Sequence, residues 1–100
     1  MNDRIVVIIS TSEPEKAGTG MMYAVNAVLQ KWMEDVKLIF FGPAQELLLK
    51  DHVMQDFLIQ FHEAGGNTTA CKFIADRDEN DVETSALGVT VEYVGSKISN

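Results

Sequence analysis

The chain has a single cysteine, Cys71, and therefore no internal disulfide. It is also short of basic residues: 8 Lys and Arg stand against 15 Asp and Glu, a formal net charge of -7. That balance excludes the basic stripe a nucleic-acid groove needs. It offers no attraction to an anionic membrane surface either. The longest aliphatic run, Ile5 to Ile9, is strand-sized and far short of a bilayer span. No signal-peptide pattern is present, so a reducing cytoplasm is the expected home. His52 and His62 are ten apart, and no C-x-x-C or H-x-x-x-H spacing exists, so no metal centre is expected. Repeats, linkers and low-complexity segments are missing as well.

What remains is a 100-residue chain with 46% hydrophobic content. That composition argues against disorder and fits one domain spanning residues 1–100. A core built from so short a chain is modest and often supplemented by oligomerisation.

The segment "RIVVIIS" (Arg4 to Ser10) is β-branched without period-two alternation, which predicts a central parallel strand covered on both faces. In "TSEPEKAGTG", Ser12 with Glu15 forms a capping box and Pro14 falls in the first turn. Gly18 and Gly20 argue against an unbroken helix there, and Thr19 offers a second N-cap. From Met21 to Met33, the residues Met22, Val25, Leu29 and Trp32 recur at helical spacing. "VKLIFF" (Val36 to Phe41) predicts a second strand closed by Gly42-Pro43. The helical pattern after it is broken near Lys50-Asp51, with Asp51 capping a second piece. Met54, Phe57, Leu58 and Phe61 mark that helix's apolar face, and Gly65-Gly66 stops it. "TTACKFIA" reads as a third strand with an ambiguous end. "NDVETSAL" carries a capping box of Asn80 with Glu83. "VTVEYV" is the fourth strand, and the tail "GSKISN" is expected to fray.

The order β-α-β-α-β-α-β predicts a three-layer α/β/α sandwich around a mainly parallel sheet of about four strands. In such sheets ligands lie outside the carboxyl ends of the strands. Ser10, Thr11 and Ser12, then Gly42 and Pro43, then Cys71 with Lys72 should meet at that edge.

Cys71 has two readings. Free cysteine is among the most buried residue types, so Cys71 is a small core hydrophobe on the first. On the second it is a thiolate at a strand-to-helix turn, stabilised by the amides of the following helix and by Lys72. The acids from Asp76 to Glu83 oppose that stabilisation if they lie close. A dyad with His62 is discounted, because His62 falls at the amino edge of the next strand. "GTG" (Gly18 to Gly20) lacks the third glycine of a dinucleotide loop and the Gly-Lys-Ser/Thr of a P-loop, so turn glycines are expected and no organic cofactor. The run "DRDEND" is a solvated face, or a docking patch for a basic partner. The Met residues with Trp32 are mostly core, and surplus apolar surface can cover a subunit interface.

Several segments, in order, resemble the DsrE/DsrF-like family of small sulfur-relay proteins. "FFGPAQELLLKD" is similar to its glycine turn and short "xxLLxKD" helix. "IQFHEAGGNTTAC" is similar to its helix-Gly-strand-Cys passage. "NDVETSALGVTVEYVG" is similar to its closing segment, and "RIVVIIST" fits more loosely. Asn80 stands where the family usually has a glycine. The resemblance implies the family's α/β fold and a homo-oligomer, for which residues such as Met22, Trp32 or Phe57 would supply the contact. It also implies that Cys71 accepts a persulfide sulfur and passes it to a partner thiol, without metal or organic cofactor. The partners would be a protein sulfur donor and acceptor. Ser10, Thr11 and the backbone around Gly42 would line the pocket, and a partly exposed Cys71 is expected. The alternative of a different class is a non-catalytic oligomeric subunit or small-ligand-binding module with an inert Cys71.

Overall fold

Four parallel strands lie side by side in the order of the chain: β1 (Arg4–Ile9), β2 (Asp35–Phe40), β3 (Asn67–Cys71) and β4 (Thr90–Glu92). The computed structural model describes residues 4–93. Ile9 stands opposite Phe40, Phe40 opposite Ala70, and Ala70 opposite Val91. The carboxyl ends of β1, β2 and β3 are therefore level. The predicted α/β architecture is the one observed, and Val94 and the "GSKISN" tail lie outside the described residues.

Side-chain alternation divides the sheet into two unlike faces. On the first, Ile5, Val7, Ile9, Val36, Leu38, Phe40 and Ala70 meet α1 (Pro14–Leu29), α2 (Pro43–Lys50) and α3 (His52–Glu63) in one core. On the second, a short helix α4 (Lys72–Arg77) packs Ile74 over Ile39 and Cys71. The chain then turns through α5 (Asp81–Ala86) into β4. The three layers are thus unequal. Strands wound in one direction with right-handed crossovers send their helices to the same side. Among the described residues the expected cover on both faces of β1 is not found: Val6 is 49% and Ile8 43% exposed.

The helix α1 runs unbroken through Gly18 and Gly20, contrary to the expected interruption. A β-carbon at position 20 would come within 2.5 Å of Ile9 Cδ1. Glycine there leaves room for the Ile9 side chain against α1, in spite of its weak helix propensity. Glu13 is the N-cap, so the Ser12–Glu15 capping box does not form. Thr11 Oγ1 accepts from the Glu13 N–H at 3.1 Å instead. The buried stripe is also rotated from the expected one. Ala17, Met21, Ala24, Val25 and Ala27 are buried, whereas Met22, Leu29 and Trp32 are exposed. Small residues allow close approach to the sheet and to α3. The helix stops at Leu29, short of Met33, because Lys31 takes a positive φ of 55°. The Trp32 N–H then donates to Ala27 O at 3.1 Å and the Lys31 N–H to Val28 O at 3.2 Å, a Schellman ending.

Asp51 separates α2 from α3 as expected, accepting from the Met54 N–H at 2.9 Å. Gly65-Gly66 ends α3, with the Gly66 N–H donating to Phe61 O at 2.9 Å. The ambiguous third strand stops at Cys71. No helix among the described residues is long and apolar enough to cross a membrane.

Candidate functional site

The three segments expected at the carboxyl edge do converge. The Phe41 N–H donates to Ile9 O at 3.0 Å, tying the end of β2 to the end of β1. Gly42 follows with φ 67° and ψ -131°, a backbone region closed to most side chains. Pro43 then opens α2. Ser10 and Ser12 are exposed, and Thr11 is half-buried with its hydroxyl engaged as above.

Gln45 holds this edge together, and the sequence reading missed it. Its side chain is fully buried. Its Oε1 accepts from the Gly42 N–H at 3.0 Å, and its Nε2 donates to the Cys71 carbonyl oxygen at 3.1 Å. The backbone partners fix the amide's orientation, since an N–H only donates and a carbonyl only accepts. The local signal was present: glutamine at the third helical position commonly reaches back to the N-cap N–H. The reach across to β3 had no local signal.

Cys71 is the N-cap residue of α4, and its side chain makes no capping bond. It is only 6% exposed. The partial exposure expected of it is corrected by the fold. Because α4 begins at the next residue, Ile74 lies back over the sheet and closes a small cluster with Cys71 and Ile39. The Lys72 ammonium pairs with Asp76 at 3.2 Å and Asp81 at 3.5 Å. The Asp76 hydrogen bond, then the Asp76 charge, raises the Lys72 pKa above the usual lysine value. Arg77 pairs with Asp78 at 3.0 Å, so the acidic run is a solvated, partly self-neutralised face around α4. The left-handed residue in that turn is Glu79, φ 56°. Asn80 does take the N-cap of α5, but without the expected side-chain cap. Its Oδ1 and the Thr84 Oγ1 are buried with no hydrogen-bond partner among the described residues.

His62 lies toward the amino edge of the sheet. Its Nε2 is 2.7 Å from Thr68 Oγ1 near the start of β3. Three strand residues, roughly 10 Å, separate Thr68 from Cys71, so the two form no dyad. Burial lowers the His62 pKa below 6.5. His52 opens α3 while His62 lies in its last turn; at helical rise they are roughly 15 Å apart along the axis.

Cys71 lines none of three grooves on the surface, although its neighbours Ile39 and Glu92 line the second. One, of about 620 Å³, is at the amino edge beside Trp32, Met33 and Gly65. A second, of about 600 Å³, runs over the uncovered sheet face. A third, of about 460 Å³, lies between α1 and α3 beside Met22, Val53 and Phe57. Ser10, Thr11, Gly42 and Cys71 line none of these three.

Among the described residues, fold and edge together define an all-parallel α/β domain with one face covered by α1, α2 and α3, a second covered in part by α4, and a carboxyl edge closed by a glutamine bridge. The chain is similar to a conserved protein of unknown function from Bacteroides thetaiotaomicron, with a TM-score of 0.91 and 22% identity over 98% of this chain and 85% of that one. At that identity the likeness concerns the fold. No family model matches the chain, and no curated protein matches it.

Proposed function

We propose that this chain is a non-enzymatic α/β subunit that acts by docking to other protein surface, with Cys71 as a core residue. The observation that carries this reading is the burial of Cys71 between Ile39 and Ile74, with 6% exposure. A nucleophilic thiol needs access for its co-reactant and a nearby group that favours the thiolate. Lys72, the cation next in sequence, is drawn to Asp76 and Asp81. Intact-mass spectrometry after incubation with a persulfide donor tests the reading. The native chain should gain no sulfur. A gain of one sulfur atom, roughly 32 Da, reversed by a reductant and absent in Cys71→Ser, would overturn it.

A second reading is sulfur carriage, favoured by the position of Cys71 at the carboxyl edge directly before α4 and by the resemblance to the DsrE/DsrF-like family. In that reading α4 lifts to admit a donor. The Cys71 thiolate attacks the outer sulfur of the donor persulfide, the donor's S–S bond breaks, and its thiolate leaves. The Cys71 persulfide then yields that sulfur to an acceptor thiol.

A further inference from the structure

We propose that the uncovered face of the sheet, centred on Val6, Ile8 and Lys37, is the contact surface for a second copy of this chain. This rests on the docking role argued above and supplies its partner. Parallel sheets occur almost only with both faces covered. Here the cover on the second face, among the described residues, is α4 over Ile39 and Cys71. Val6 and Ile8 project from β1 onto the bare part, where they are 49% and 43% exposed. A groove of about 600 Å³ runs across them.

Charge selects the occupant. The groove is lined by two cations, Arg4 and Lys37, and two carboxylates, Asp35 and Glu92. Among the described residues the charges lining this face therefore balance, whereas the chain as a whole carries -7. Two copies approaching by most other surfaces repel each other. Two copies approaching by this face meet a patch that carries both signs around an aliphatic centre. Such a patch is self-complementary, as a two-fold contact requires. Two sheets stacked this way pack roughly 10 Å apart. Each would give the other the layer that its own crossovers leave out. The exposed stripe Met22, Leu29 and Trp32 on α1 is the rival surface. It lacks this argument, because an amphipathic surface helix commonly faces water on one side.

Sedimentation of the full chain across a concentration series tests the inference. The expected result is a species of twice the 11.1 kDa chain mass. Ile8→Lys places a charge at the centre of the contact and should return the 11.1 kDa species with unchanged circular dichroism. Lys37→Glu and Asp35→Lys make the face acidic and basic respectively. Each alone should weaken self-association by about tenfold or more. An equal mixture of the two should restore a dimer, which a merely misfolded variant would not do. A wild-type chain that stays at 11.1 kDa up to about 100 µM would overturn the inference. So would a dimer untouched by these changes but dissociated by Met22→Glu. Either result, with Cys71 still inert to a persulfide donor, leaves the docking reading standing. Sulfur gain on Cys71 fails that reading whatever the mass.

Discussion

Gln45 and Cys71 are joined across the carboxyl edge of the sheet: the Gln45 side-chain amide donates to the Cys71 carbonyl oxygen at 3.1 Å. The same amide takes the Gly42 N–H at 3.0 Å. One buried side chain thus fixes both the turn after β2 and the point where β3 becomes α4. It sets where Ile74 falls, and so how Cys71 is covered.

Gln45→Leu should therefore be costly. It removes the Gln45 partner from the buried Gly42 N–H and from the Cys71 carbonyl oxygen, and a buried group left unsatisfied costs about 1–3 kcal/mol. A loss of about 2 kcal/mol or more is expected in chemical denaturation, with faster labelling of Cys71 in the native state. Gln45→Glu adds a sign that can be checked. A carboxylate cannot donate to the Cys71 carbonyl, whereas the neutral acid can. Its loss relative to wild type should shrink as the pH falls through the carboxyl range.

The close contact of α1 with β1 gives a second test. Gly20→Ala brings a β-carbon within 2.5 Å of Ile9 Cδ1. Better helix propensity offsets this by about 1 kcal/mol, against about 1–3 kcal/mol for overpacking. A net loss of about 1 kcal/mol is expected. Ile9→Val removes the clashing atom, so the double variant should be more stable than the sum of the two single changes predicts. Simple additivity in that cycle would contradict the packing described.

Burial lowers the His62 pKa below 6.5, and the direction of its pH effect follows. The unfolded chain binds the proton more readily than the folded one. The His62 contribution is therefore present above about pH 6.5 and lost as the pH falls through the lower, folded value. Denaturation midpoints measured from about pH 7.5 down to about pH 5.5 should decline. His62→Gln should flatten that decline.

The strands were legible because β-branched and aromatic runs bounded by Gly, Pro and Asp are local signals. Asp51 and Gly65-Gly66 were legible as helix punctuation for the same reason. Gly18 and Gly20 misled, because their role is close approach to Ile9, a contact distant in the chain. The stripe on α1 was misplaced by one residue, since alanines that pack tightly look neutral beside Met22 and Trp32. The open face was hidden as well. The run Ile5 to Ile9 reads as covered on both sides, and strand order is a property of the whole sheet. At the candidate site, the convergence of Ser10, Gly42 and Cys71 followed from topology. The burial of Cys71 did not, because it depends on α4 starting at Lys72 and on Gln45 reaching from another helix.

The account turns on whether Cys71 is core. The most direct measurement is the rate of thiol labelling at neutral pH in the native and the unfolded chain, together with the stability of Cys71→Ser. The account predicts labelling that is fast only after unfolding, and a loss of about 1–3 kcal/mol for an unpaired buried hydroxyl. Native labelling as fast as that of a free cysteine, with Cys71→Ser as stable as wild type, would contradict it.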